Sequence, residues 1–83
     1  MMTKIGDRIK EVREKNELSR DKFAFIIGVS QGTVWDWEHG YSDIKMQNAI
    51  KICKKFKVSM DWMSGLTDVG FIPTLYVSNT ETK

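Results

Sequence analysis

The run SRDKFAFIIGVSQGTVWDWEHG, residues 19–40, contains two helix starts in close succession. Ser19 and Ser30 each carry a hydroxyl able to accept a bond from a free backbone N–H in the first turn of a helix. Behind Ser19, Phe23, Ala24 and Ile27 share one side at helical spacing, and Gly28 is the residue type that closes a helix. Behind Ser30, Gln31 to Glu38 form the next helix, with Val34 and Trp37 three apart and facing inward. Only Gly28, Val29 and Ser30 separate the two, and so short a link makes the helices cross steeply instead of folding back antiparallel.

The flanks complete this helix-turn-helix pattern. From Thr3 to Asn16, Ile5, Ile9 and Val12 recur at spacings of four and three among charged residues, which specifies an amphipathic first helix. After a polar connection at Gly40, Tyr41, Ser42 and Asp43, the apolar stripe Met46, Ala49, Ile50, Cys53 and Phe56 marks a fourth helix. Ser59 caps a short fifth helix whose inward set draws on Met60, Trp62, Met63 and Leu66, with Gly65 near its end. The reading is a compact domain over residues 1–67 followed by an extended arm over residues 68–83. In that arm Phe71, Ile72, Leu75, Tyr76 and Val77 favour a pleated backbone, while Pro73 confines it to an edge.

Eighty-three residues accommodate one domain and leave no room for a two-domain enzyme. A composition of 41% hydrophobic and 29% charged residues belongs to a globular chain. The lone Cys53 cannot form an internal disulfide, and polar Thr3, Lys4 and Asp7 stand where a secretory signal needs apolar residues, so a reducing, cytoplasmic setting is expected. No apolar run approaches the roughly 20 residues that span a bilayer. Net charge is only +2, but residues 1–57 hold 12 basic and 8 acidic side chains, while residues 58–83 hold 1 and 3. The basic body includes Lys51, Lys54, Lys55 and Lys57, a cluster able either to neutralise phosphates or simply to solvate a helix face.

Enzymatic chemistry finds no support. His39 and Cys53 are single examples of their kinds, too few for a zinc ligand set. Cys53 lies on the apolar stripe of the fourth helix, where it reads as a small buried hydrophobe. No nucleophile, base and orienting acid form a set, and neither a dinucleotide fingerprint nor a phosphate-binding loop is present. No cofactor, metal or small-molecule substrate is expected.

What remains is the polar face of the third helix. With Val34 and Trp37 inward, Gln31, Gly32, Trp35 and Asp36 turn outward. A major groove admits one helix; the Gln31 amide can bond two atoms of an adenine edge, and Gly32 allows close approach to the bases. An ordinary exposed helix face has the same periodicity. Asp36 repels phosphates yet can accept from a cytosine amino group. The Trp35 indole suits thymine methyls, a sugar, or a protein interface.

These residues together resemble a known family. Leu18-Ser19-Arg20, Phe23-Ala24, Ile27-Gly28-Val29-Ser30-Gln31, Val34 and Trp37-Glu38-His39-Gly40 look like the helix-turn-helix of the phage-repressor, Cro/C1 or XRE family. Ile50, Ile52, Cys53 and Phe56, then Val58-Ser59-Met60-Asp61-Trp62-Met63, continue the likeness without a gap, to about residues 4–66.

The resemblance implies an all-α, five-helix lambda-repressor-like DNA-binding domain whose third helix enters the major groove of double-stranded DNA, usually as a homodimer on a palindromic operator. By it, Gln31, Gly32, Trp35 and Asp36 fall at base-reading positions, and Arg20, Thr33, His39, Tyr41, Ser42 and Lys45 at phosphate-contacting ones. Arg13 and Glu38 match the family's structural ion pair. Arg20 stands where glutamine is common, Tyr41 and Ser42 where a basic pair is frequent, and Ile44 where proline is common. Phe25 and Ile26 are apolar at positions usually polar, which suggests packing against Phe71, Ile72, Leu75 and Tyr76 of the arm, in cis or across a dimer. The expected function is a transcriptional regulator, most simply a repressor; the alternative is a protein-interaction module of antitoxin or anti-repressor type.

Overall fold

The computed structural model describes residues 4–66. It contains five helices: α1 (Lys4–Lys15), α2 (Arg20–Ile27), α3 (Gln31–His39), α4 (Met46–Phe56) and α5 (Met60–Ser64). No strand occurs among the described residues, and none of their helices is long and apolar enough to cross a membrane. The arm, with Phe71, Ile72, Leu75 and Tyr76, lies outside the described residues.

Local chemistry sets the helix ends. The Ser19 hydroxyl accepts from Lys22 N–H at 3.1 Å, Ser30 from Thr33 N–H at 3.1 Å, and Ser59 from Trp62 N–H at 3.0 Å. Each such bond satisfies a backbone donor that lacks an intrahelical partner. Gly28 closes α2 at φ 91°, in the left-handed region that a Cβ disfavours, and its N–H bonds the Ala24 carbonyl at 2.7 Å. Val29 N–H reaches the same carbonyl at 3.0 Å, so the chain reverses tightly and α3 begins two residues later.

The core is built from one stripe of each helix. Ile9 and Val12 of α1, Phe23, Ala24 and Ile27 of α2, Val34 and Trp37 of α3, Ile52 and Cys53 of α4, and Trp62 and Met63 of α5 are buried together. Phe23 stacks on Phe56 at 5.3 Å, and the Arg8 guanidinium lies 4.5 Å from the Trp62 ring centre. α3 packs against both α1 and α2, which leaves one of its sides uncovered.

Two readings of apolar stripes need correction. In α4 the inward residues are Ala49, Ile52 and Cys53, with Phe56 partly buried, whereas Met46 and Ile50 are exposed. Successive helical residues turn by about 100°, so Ile50 sits well off the direction of Ala49 once Ile52 and Cys53 define the contact. In α5 Leu66 is 80% exposed, because the left-handed turn at Gly65 takes the chain off the helix before Leu66 can face the core.

The lysine cluster divides as well. Lys54, Lys55 and Lys57 are exposed, but Lys51 reaches back to donate to the Ile27 carbonyl at 3.0 Å. That cation meets the negative end of α2 and satisfies a carbonyl left open at the helix terminus. Replacement by methionine is expected to cost about 1 kcal/mol in urea unfolding, mostly lost charge–dipole and hydrogen-bond energy. An unchanged midpoint would show the contact to be worth nothing in solution.

Candidate nucleic-acid interface

α3 is held from behind and open in front. Val34 and Trp37 enter the core, and Glu38 buries its whole side chain, 0% exposed. Its carboxylate accepts from Arg13 through Nε to Oε2 at 2.7 Å and through Nη2 to Oε1 at 3.2 Å. Arg13 Nη1 also donates to the Leu18 carbonyl at 3.0 Å, tying α1 to the residue before the α2 cap. The bidentate geometry fixes the pair in angle as well as distance.

Arg20 joins this network, with Nε donating to Glu38 Oε1 at 2.9 Å. Two guanidiniums thus share one buried carboxylate, and the exposed Glu14 carboxylate lies 4.0 Å from Arg13 Nη2 at the edge of the cluster. Arg20 remains 29% exposed along its side chain, enough for part of its fork to face solvent beside α3. Sequence reasoning placed Arg20 on phosphates and missed this bond; the available signal was that an unusual cation opens α2 one element away from a buried acid.

On the open side, Gln31 and Gly32 are exposed and Asp36 is half-buried. Gly32 lies within the helix without a left-handed backbone, and a Cβ built there would meet only the Ser30 hydroxyl at 4.0 Å. Nothing in the fold requires glycine at this position. Thr33 is half-buried, its hydroxyl 2.8 Å from that of Ser30, so its side chain reinforces the cap.

Trp35 is 39% exposed and does not stand alone. The His39 ring stacks on the indole at 3.8 Å with planes 17° apart, and the Tyr41 ring at 5.5 Å and 12°. His39 Nδ1 lies 2.8 Å from the Trp35 carbonyl. A carbonyl only accepts, so Nδ1 carries the proton and Nε2 is left for another partner. Tyr41 N–H bonds the Asp36 carbonyl at 2.9 Å, which folds the post-helix segment back onto α3. Ser42 and Lys45 are exposed in the same segment. Trp35 and His39 stand four apart on one helix face, but periodicity gives no sign of the third ring, because Tyr41 joins the stack only through the left-handed turn at Gly40, φ 78°.

Outside this face, Phe25 is 86% and Ile26 36% exposed on α2. Cys53 is buried, and burial pushes its thiol up to about 11, away from the reactive thiolate. No group of three or more His, Cys, Asp or Glu able to hold a metal occurs among the described residues.

The chain is similar to several known proteins. A model of the helix-turn-helix family matches residues 9–63. Antitoxin PezA of Streptococcus pneumoniae serotype 4 is 36% identical over 55 residues, which are 66% of this chain and 35% of that protein. The chain therefore spans about a third of the length of that curated relative. Among solved structures, the restriction-modification controller protein C.AhdI from Aeromonas hydrophila aligns with a TM-score of 0.66 at 24% identity, over 74% of this chain and 92% of that one. The P22 c2 repressor in complex with synthetic operator 9T gives 0.68 at 23%, again over 74% and 92%. The solution structure of the P22 c2 repressor DNA-binding domain gives 0.68 at 25%, over 78% and 88%. These likenesses are of fold.

Proposed function

The chain belongs to the Cro/C1-type helix-turn-helix family, and from that premise we propose that it is a sequence-specific regulator of transcription, a repressor occupying a palindromic operator as a homodimer. The observation that carries this reading is the two-sidedness of α3: Val34, Trp37 and Glu38 are locked inside while Gln31, Gly32 and Trp35 are left to solvent. A helix fixed in this way enters a major groove without further ordering, and two of them about 34 Å apart meet successive grooves on one face of the duplex.

In this reading Gln31 pairs with an adenine edge, Gly32 permits close approach, and Asp36 accepts from a cytosine amino group. Arg20, Thr33, His39, Tyr41, Ser42 and Lys45 serve the flanking phosphates and set register instead of sequence. The Arg20 fork, held by Glu38, is oriented before DNA arrives.

Selection from a random duplex pool, followed by anisotropy titration of the selected duplex at three salt concentrations, tests the proposal. The logarithm of affinity is expected to fall with the logarithm of salt by about 0.9 for each phosphate neutralised. Lys45→Ala should lower that slope by about 0.9 per protomer and weaken selected and scrambled duplexes alike. Saturation at two protomers per duplex is expected.

A second reading, a module that binds another protein, is favoured by the similarity to an antitoxin and by the exposed Phe25 and Ile26. Binding of an apolar partner would be nearly indifferent to salt. A chain that selects no duplex and shows a flat salt response belongs to that second class.

A further inference from the structure

We infer that the outward face of α4 is a docking surface for an acidic amphipathic helix of another protein. Met46 and Ile50 take the apolar end of that helix, and Lys51, Lys54, Lys55 and Lys57 take its carboxylates. The inference does not rest on the DNA-binding reading, because it concerns a helix packed on α2 and α5 and not the open side of α3.

Three observations lead to it. With Ala49, Ile52 and Cys53 inward, helical turning gathers Met46, Ile50, Lys54 and Lys57 on one outer side of α4, with Lys51 beside them. Along that side the chemistry changes in order: Met46, 66% exposed, and Ile50, 40% exposed, fill the first half, and the lysines fill the second.

The cations are also unbalanced. α4 contains no Asp or Glu, and among the described residues no carboxylate lies within 4.0 Å of Lys51, Lys54, Lys55 or Lys57. The Lys51 ammonium is held in place by its bond to the Ile27 carbonyl.

The third observation is the end of the helix. Lys57 closes α4 at φ 62° and ψ 47°, in the left-handed region, whereas Gly28, Gly40 and Gly65 close α2, α3 and α5 there. Glu17, beyond α1, is the other non-glycine residue with a positive φ among the described residues. A Cβ is disfavoured in that region, so folding stability alone selects glycine at position 57. Lysine there adds a cation to the face and weakens the fold, the combination found where strain serves a site.

Other occupants match only part of this surface. Phosphates of a nucleic acid pair with the lysines and leave Met46 and Ile50 unmatched. An anionic bilayer takes apolar residues along a whole helix side, with the basic residues on the other face; here the two kinds follow one another along the axis. A second copy of the same face sets lysines against lysines or against Met46 and Ile50. A partner helix with carboxylates in its N-terminal half and apolar residues in its C-terminal half meets each region with its complement. Its own dipole favours that order of charge, and it lies antiparallel to α4.

The test uses the full chain and a fluorescent synthetic helix of about four turns, alanine-based, with glutamates on one face of its N-terminal half and leucines on the same face of its C-terminal half. Saturable binding is expected, weakened when glutamine replaces glutamate or alanine replaces leucine. A nitroxide at the peptide N-terminus should broaden the amide signals of Lys54 to Lys57 more than those of Met46 to Ala49. Lys54→Glu with Lys55→Glu should weaken the peptide about tenfold, and Ile50→Ser about fivefold, both with wild-type-like melting. Lys57→Gly should raise the melting temperature by about 4 °C and weaken the peptide about threefold, opposite directions that a purely structural lysine does not produce.

A full chain that does not bind the peptide overturns the inference, as does unchanged affinity in any of these variants. Displacement of the peptide by scrambled duplex, with duplex affinity lost in the Lys54→Glu, Lys55→Glu chain, overturns it in favour of nucleic acid. Binding to phosphatidylserine vesicles that is lost in the same chain overturns it in favour of a membrane surface.

Discussion

Glu38→Ala is expected to lower the folding free energy by about 3 kcal/mol, the cost of leaving a buried charge without its partner. In a domain of this size that corresponds to a fall of roughly 12–24 °C in melting temperature. The magnitude follows from geometry. The Glu38 carboxylate is fully buried and accepts all three bonds that Arg13 and Arg20 aim at it. Truncation leaves Arg13, 11% exposed, inside the bundle with the Leu18 carbonyl as its remaining hydrogen-bond acceptor and only the exposed Glu14 carboxylate, 4.0 Å from Nη2, to balance its charge. Arg20, at 29% exposed, can turn outward and rehydrate, so Arg13 bears most of the penalty. Removing both ends of the buried pair with Arg13→Met and Glu38→Met should recover much of the loss, since apolar replacements of a buried ion pair are often neutral or better. Thermal melting and urea midpoints of the three proteins decide it; wild-type-like melting of Glu38→Ala would falsify the structural role of the network.

That network also shows which parts of the molecule were legible in the sequence. Ser19, Ser30 and Ser59 announce helix starts by chemistry that acts within one turn, and Gly28 announces a stop in the same way. Signals of this range survive in any context, so the five-helix order could be read directly. Arg20 bonding Glu38 acts across 18 residues and depends on how α2 crosses α3, which no local pattern encodes. Ile50 and Ile52 differ by two residues in one helix, and only the packing of α4 on its neighbours determines that Ile52 is buried and Ile50 is not. The outward set of α3 followed from period alone. The Trp35–His39 pair, four apart within the helix, follows the same period, but the recruitment of Tyr41 into the stack needed the three-dimensional turn at Gly40.

Gly32→Leu is expected to leave the free protein at least as stable as the wild type while reducing affinity for its selected duplex about a hundredfold, or roughly 2.7 kcal/mol. The first half follows from the position. Gly28, Gly40 and Gly65 all have left-handed backbones that a side chain would strain, but Gly32 does not. A Cβ there meets only the Ser30 hydroxyl at 4.0 Å, and leucine is favoured over glycine inside a helix by somewhat less than about 1 kcal/mol. The second half follows from what the open space admits. An isobutyl group on this face holds the backbone off the base edges and withdraws the neighbouring Gln31 amide from bonding distance. Two contacts, each worth about 1–3 kcal/mol of discrimination, are enough to account for the loss. No charge changes, so affinity for scrambled duplex and the salt slope should both stay as they were. The measurement is a paired one, with melting of the free variant beside anisotropy titration of selected and scrambled duplexes. A variant that melts normally and still binds its selected duplex at full strength would mean that α3 does not approach bases through Gly32. A variant that melts lower would instead assign this glycine to the fold.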